Sequence, residues 1–143
     1  MPYNAAAAVV EFIYSRLRGN SSDLPVVPMP MGPKDPFPTY AFSVQPLSAP
    51  AREQGGDVIV SYFQAVVVVV GKPNGNDLEP LKFAAQEAGN NLRTNSHAQG
   101  NTFGTGTVLS CMVAFDVCLC DRDPQGVLHW QLGQAWNITV QPV

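Results

Sequence analysis

The residues best suited to chemistry lie between positions 118 and 130, in the stretch CLCDRDPQGVLHW. Cys118, Cys120 and His129 supply two thiols and an imidazole, and zinc binds these groups in proteins, usually with four ligands at a structural site. Asp121 and Asp123 flank a turn, where aspartate is common for conformational reasons. The stretch is therefore either part of a metal site or the tip of a β-hairpin.

Alternating apolar residues on both sides of DRDPQG favour the hairpin. The apolar residues occupy odd positions before the turn and even positions after it: Leu109, Cys111, Val113, Phe115, Val117 and Leu119, then Leu128, Trp130, Leu132, Trp136, Ile138 and Val140. A four-residue loop at 122–125 would set Leu119 opposite Leu128 and Val117 opposite Trp130. The large apolar side chains would then share one face, whereas a slip of one residue would mix the faces.

The same pairing would place Cys118 opposite His129, with Cys120 two residues away on that face. A three-residue metal cluster is therefore geometrically conceivable. We favour a structural interpretation, because cysteine is also a common small buried residue and alternate side chains on a regular strand project in parallel. The sequence contains no phosphate-binding glycine loop and no nucleophile elbow, so we expect neither enzymatic activity nor a cofactor.

Two helices are expected elsewhere in the chain. Asn4 can cap a helix over residues 4–18, which ends before a glycine, and its apolar stripe is Ala6, Val9, Val10, Ile13, Tyr14 and Leu17. The turn at 72–77 precedes a second helix, in which Asp77 is the expected cap and Pro80 is tolerated in the first turn. The apolar stripe of that helix is Leu81, Ala84, Ala85, Ala88 and Leu92.

The other segments predict strands and irregular connections. Residues 25–38 hold six of the thirteen prolines, so they form an extended arm, which we expect to lie along the body or a neighbour. Residues 40–46 predict a short strand, and 58–71 predict a central strand covered on both faces. Polar loops follow at 47–57 and 94–106. The expected fold is α+β: a single domain over 1–143, with a mostly antiparallel sheet, a long C-terminal hairpin and two packed helices.

The composition excludes several functional classes. Only 13% of the residues are charged, and a surface so poor in charge is often covered by other copies or partners. The net charge of -3 and the pI of about 5.1 argue against a protein that neutralises nucleic-acid phosphates. No apolar run approaches the ~20 residues of a membrane helix, and the N-terminus does not resemble a signal peptide. Three cysteines, an odd number, favour synthesis in a reducing cytosol.

The order of elements resembles that of the tail-terminator, or tail-completion, proteins of long-tailed bacteriophages and related contractile particles. The resemblance covers almost the whole chain. It is carried by VVEFIYSRLRG, by PFPTYAFSV, by VSYFQAVVVVVG followed by LEPLKFAAQEAGNNLR, and by the D-x-D-x-x-G turn of the closing hairpin.

This resemblance implies a role in virion assembly. About six copies would form a ring that stops tail-tube growth and docks on the head-side connector or stopper, and that in contractile tails also meets the sheath. DNA would pass through the lumen without sequence-specific contact. The chain would be a virion protein of the tail or neck, made in the bacterial cytoplasm and not associated with membranes. The candidate contacts with other copies or partners are Arg52, Glu53, Gln54, Asn95, His97 and Thr105.

Two alternative functions remain open. The chain could be another neck component, such as a stopper or an adaptor. From a different class, it could be a small α+β enzyme or metal-binding domain that uses Cys118, Cys120 and His129.

Overall fold

Two α-helices pack against one face of a curled, mostly antiparallel β-sheet in the computed structural model of the chain. The structure describes residues 3–18, 24–29, 38–54, 56–71, 78–93, 102–122 and 128–143. The predicted α+β fold class is confirmed. The elements are α1 (Ala5–Arg18), β1 (Val26–Pro28), β2 (Thr39–Pro46), β3 (Ala51–Arg52), β4 (Val58–Gly71), α2 (Glu79–Leu92), β5 (Thr102–Phe103), β6 (Gly106–Arg122) and β7 (Leu128–Pro142).

Helix α1 begins and ends where the sequence predicts. The Asn4 side-chain oxygen accepts a hydrogen bond from the Ala7 backbone N–H at 3.0 Å, which is the expected N-terminal cap. The buried face is rotated from the predicted stripe, because Ala6 is exposed whereas Phe12 is buried and contacts Phe103 edge-on. The buried residues are Ala5, Ala8, Val9, Phe12, Ile13 and Leu17.

Strand β4 is the centre of the sheet, as its apolar sequence predicts. The described strands run in the order β1-β2-β4-β7-β6-β5, and β3 also pairs with β4. Residues 67–70 are buried on both faces. Val67 and Val69 belong to the main core beneath the helices, whereas Val68 and Val70 form a smaller cluster on the opposite face.

The segments around β2 depart partly from the prediction. The predicted strand is confirmed at Thr39–Pro46, and β1 lies parallel beside it, so this part of the proline-rich arm lies along the body. Residues 30–37 of the arm are outside the described residues. The prediction of an irregular loop over 47–57 is wrong in part, because β3 pairs with the start of β4.

Helix α2 packs closely on the sheet through its small residues. Leu78 occupies the N-cap position, the predicted cap Asp77 lies outside the described residues, and Pro80 is in the first turn as expected. The buried stripe matches the prediction except that Ala85 is half-buried and Gly89 is buried. A Cβ at Gly89 would lie 2.7 Å from the Gln134 side-chain oxygen, so a larger residue there would have to displace the end of that side chain.

The predicted loop over 94–106 ends earlier in the structure. Residues 94–101 are outside the described residues, whereas β5 occupies Thr102–Phe103 and β6 begins at Gly106. Between these strands Gly104 has a φ of 59°, a conformation that glycine adopts without strain. Neither helix in the described part of the chain is long and apolar enough to cross a membrane.

Candidate assembly surfaces

The C-terminal hairpin is confirmed, but its predicted register is wrong. Leu119 pairs with Gln131 rather than Leu128, and Arg122 belongs to β6 and pairs with Leu128 rather than lying in the turn. The register shifts between Val108 and Ser110 and again between Val113 and Phe115. At each bulge β6 has one residue more than β7. Beyond the bulge, the positions that would face the core in a regular strand therefore face away from it, and the alternate positions face the core side.

The second bulge divides β6 into two parts with different environments. Before it, Cys111 is opposite Ile138 and Val113 is opposite Trp136, over the main core. After it, the odd positions face away from the helices. Phe115 and Leu119, predicted as core residues, are therefore 53% and 56% exposed.

The register separates the residues of the candidate metal cluster. Cys118 is opposite Leu132 and Cys120 is opposite Trp130, so both cysteines project from the face that carries the helices. His129 is opposite Asp121 and therefore projects from the other face. The predicted pairing of Cys118 with His129 is wrong. Among the described residues, no group of three or more His, Cys, Asp and Glu side chains is arranged to hold a metal ion.

The third cysteine is buried in the core. Cys111 is 0% exposed, and this burial raises the pKa of its thiol to about 12, although the charge of Arg16 opposes the shift. A thiolate is the reactive form of cysteine, so burial keeps Cys111 unreactive at neutral pH. Cys111 therefore acts as a small apolar core residue.

On the sheet face opposite the helices, which we call the outer face, four neighbouring strands share four rows of uncharged residues. The register aligns its residues in four rows: Gln45, Gln64, Asn137 and Met112; Ser43, Val66, Ala135 and Phe115; Ala41, Val68, Gly133 and Val117; and Thr39, Val70, Gln131 and Leu119. No described helix covers these rows, because both helices pack in the main core. The rows are exposed at their β6 ends, at Met112, Phe115 and Leu119, whereas their other members include buried residues: Thr39, Ala41, Val68, Val70 and Ala135. Exposed large apolar side chains grouped on one strand are typical of an interaction site.

A groove lies between α2 and the hairpin on the helix side of the sheet. It has a volume of about 440 Å³, and the residues that line it include Lys82, Arg93 and Asp116. The Gln134 side-chain amide donates a hydrogen bond to an Asp116 carboxylate oxygen at 3.1 Å. A single described carboxylate lines this groove, so it does not contain the carboxylate pair that general acid–base hydrolysis of glycosides uses.

The described candidates for partner contacts lie at one end of the sheet. We call this the proximal end; it contains the start of β4, the start of β6 and the end of β7. Arg52, Glu53 and Gln54 are exposed there, and the Arg52 guanidinium donates to the Gly56 carbonyl oxygen at 2.7 Å, which holds the loop.

Thr105 lies at the proximal end as well, but it serves the chain's own packing. Its side-chain oxygen accepts a hydrogen bond from the Asn4 N–H at 2.9 Å, and its carbonyl accepts one from the Val143 N–H at 3.1 Å. Asn95 and His97, the other two candidates, lie outside the described residues.

The exposed part of β6 was not predicted from the sequence. A signal was present, because Gln134 interrupts the apolar even positions of β7 between Leu132 and Trp136. A polar residue there does not suit a hairpin that is buried on one face over its whole length. The bulge at Ala114 explains it, since it places Asp116 opposite Gln134.

No known protein-family profile matches the sequence, and no curated protein is significantly similar to it. The comparison with solved structures gives a different result. A chain of the virion of a native gene transfer agent particle has a TM-score of 0.66 and 16% sequence identity, with 98% of this chain and 99% of that chain covered. The fold is shared with a virion chain. A second solved chain has a TM-score of 0.61 and 16% identity, with 97% of each chain covered.

Proposed function

We propose that this chain is a structural component of a phage-like virion. The observation that carries the proposal is the similarity of fold, over nearly the full length of both chains, to a chain of the gene transfer agent virion. The exposed apolar side chains of Met112, Phe115 and Leu119 on the outer face also suit a protein that works by contacting other proteins.

Within the virion, the role that we propose is that of a tail terminator. About six copies form a ring that ends the tail tube and joins it to the head-side connector. Support comes from the sequence resemblance to tail-terminator proteins, whose expected order of helices and strands agrees with the observed order. In this role the chain is a non-enzymatic virion protein of the neck, which also contacts the sheath if the tail contracts.

The proximal end is the surface that we assign to a partner of different sequence. Arg52, Glu53 and Gln54 project there from a loop that is held by the backbone hydrogen bond from Glu53 to Asp57 at 2.8 Å as well as by Arg52. A loop with fixed ends and exposed polar tips can present the same contacts in every copy of a ring. Thr105 lies at the same end of the sheet, and Asn95 and His97, outside the described residues, remain candidate partner contacts from the sequence.

DNA passes through the ring in this proposal without being held. The net charge of -3 and the scarcity of basic residues disfavour phosphate binding. A passage that does not retain DNA allows the genome to move through the neck.

Deletion of the gene for this chain from the viral genome tests the tail-terminator role. Loss of a terminator should give tails of variable, excessive length that do not join heads, as measured by negative-stain electron microscopy. Loss of a stopper or an adaptor should instead leave tails of normal length, and that result would assign the chain to another neck role. A plasmid copy of the wild-type gene that restores normal tails is the control.

Particle composition tests the broader proposal separately. Mass spectrometry of purified particles should find the chain in virions, at about six copies relative to a tail protein of known copy number. If gradient-purified, infectious particles do not contain the chain, its assignment as a virion component is wrong.

A further inference from the structure

The end of β6 is an apolar strand segment whose second edge is not paired with any described strand. The segment from Phe115 to Arg122, which we call the distal segment, pairs with β7 along one edge. Among the described strands, only β5 lies on the other edge of β6, and it pairs only with Gly106 and Thr107. The distal segment therefore presents backbone N–H and C=O groups along an edge that no described strand covers.

The side chains of the distal segment are exposed on both faces as well. Phe115 and Leu119 are more than half exposed on the outer face, and Cys118 and Cys120 are exposed on the helix side. Soluble proteins usually protect an edge with proline, charge or a short strand, because an open edge pairs readily with another strand. The distal segment has no proline, and its charged residues are Asp116, Asp121 and Arg122. The distal segment is an edge of eight residues that follows the last bulge without interruption.

The other described edges are unsuited to pairing with it. Strand β1, on the far side of the sheet, has three residues and ends at Pro28, which has no N–H to donate. Strands β3 and β5 have two residues each. Strand β1 leaves only residues 43–46 of β2 uncovered, and this short edge ends in Pro46. If an edge strand of a second copy pairs with the distal segment, the described strand that can do so is therefore the distal segment of that copy.

We propose that two copies of this chain pair antiparallel through their distal segments, about a two-fold axis at Leu119. In this register Asp116 lies opposite Arg122 of the second copy, and the symmetry repeats the pair. Both side chains project from the helix-side face, because both occupy even positions beyond the last bulge. Opposite charges therefore meet on the same face, twice per dimer.

Charge complementarity selects this register over its neighbours. Antiparallel strands change register in steps that keep each side chain on its face. With the axis at Cys118, Asp116 would face Cys120 of the second copy. With the axis at Cys120, Arg122 would face Cys118. With the axis at Leu119, Asp116 and Arg122 pair at both symmetric positions, Leu119 meets its own counterpart on the outer face, and Cys118 faces Cys120. Asp121, the remaining charged residue, then lies opposite Val117.

This contact goes beyond the proposed ring. An isologous contact closes at two copies, whereas a ring of six copies requires a head-to-tail contact. The dimer is therefore a state of the free chain in which the open edge is covered. Its existence and that of the ring can be tested independently.

Charge exchange tests the register directly. We expect sedimentation velocity over a concentration series of the purified chain to give a monomer–dimer equilibrium. Asp116→Arg alone and Arg122→Asp alone place like charges opposite each other, and each should raise the dimer dissociation constant about tenfold. The double exchange, Asp116→Arg with Arg122→Asp, should restore dimerisation. Arg93→Asp, the same charge change at an exposed position on α2, should have no effect.

Three results would overturn the dimer. The first is a wild-type chain that stays monomeric at all concentrations. The second is a dimer dissociation constant that neither single exchange changes. The third is a double exchange that does not restore dimerisation. A ring of about six copies that none of these substitutions alters would also contradict it, while supporting the proposed ring. Far-ultraviolet circular dichroism on each variant separates loss of dimer from loss of fold.

Cross-linking gives a second test that does not depend on the charge variants. Diamide should form a disulfide between Cys118 of one copy and Cys120 of the other, at both symmetric positions. Each bond forms as two thiols release two protons and two electrons, which reduce diamide to its hydrazine. Non-reducing mass spectrometry should identify the Cys118–Cys120 peptides in dimers, and Cys120→Ser should abolish them. Dimers that are linked mainly through Cys118 to Cys118, or no linked dimers at all, would contradict the register.

Discussion

The Tyr40 hydroxyl donates a hydrogen bond to the Ala84 carbonyl oxygen at 2.8 Å, inside the core. This bond connects β2 to α2, and Tyr40 is completely buried. We predict that Tyr40→Phe lowers the free energy of unfolding by about 1 kcal/mol, because a buried carbonyl loses a partner that water cannot replace. Urea denaturation followed by circular dichroism measures the change. Tyr62→Phe, at a half-buried position on β4, is the matched control and should cost less.

The two tryptophans should contribute very differently to stability. Trp136 is 1% exposed in the main core, whereas Trp130 is half-buried on the hairpin. We expect Trp136→Ala to lower the free energy of unfolding by about 3–5 kcal/mol through the cavity it creates, and Trp130→Ala by about 1–2 kcal/mol. Equal losses in urea denaturation would contradict the burial of these residues described above.

Gly133 lies where two strands approach closely. A Cβ at this position would lie 2.0 Å from the Val67 carbonyl oxygen, so an alanine would have to displace backbone. We predict that Gly133→Ala costs about 3 kcal/mol in thermal or urea unfolding. In Gly71→Ala the new Cβ instead meets the end of the Leu81 side chain, which can move, so this control should cost about 1 kcal/mol.

The three cysteines should separate into two reactivity classes. Cys118 and Cys120 are exposed, whereas Cys111 is buried and the pKa of its thiol is raised to about 12. At pH 8, iodoacetamide should modify Cys118 and Cys120 in the native chain and modify Cys111 only after unfolding. Peptide mass spectrometry locates each adduct, and the same reaction in 8 M urea, in which all three cysteines should react, is the control.

Cys111 should also make stability depend on pH at alkaline values. Burial raises the pKa of its thiol from the ordinary value of 9.0 to about 12 in the folded chain. Between these values the unfolded chain has lost the proton that the folded chain keeps, so stability falls as pH rises. The free energy of unfolding should decrease by up to about 1.4 kcal/mol per pH unit from pH 9 to pH 12. Cys111→Ala should show a shallower decrease.

Much of the fold could be predicted from local patterns. The ends of α1 follow from Asn4 and the glycine after the helix, and the bounds of β4 follow from its apolar run between polar segments. The rotation of α1 about its axis was not predictable in the same way. Several of its faces are apolar, and the choice among them depends on Phe103, a residue far away in the sequence.

The candidate site was harder to predict than the fold. The exposure of Arg52, Glu53 and Gln54 agrees with the polarity of their segment, but the pairing of β3 with β4 was not predicted. The role of these residues in partner contacts stays a prediction. The cysteine and histidine cluster was predicted from an uninterrupted alternation of faces in β6. One extra residue at Ala114 changes that alternation, and no residue type at this position marks the change.

The sequence by itself determined where strands and helices form, because periodicity and capping are properties of neighbouring residues. Only the tertiary structure decided which residues of the hairpin face the core. Strand β7 pairs with β4 and β6 at the same time, so the register of β6 depends on a strand that it does not touch. Because the bulges adapt β6 to that constraint, Phe115 and Leu119 lie at the surface, and Cys118 and His129 project from opposite faces of the sheet.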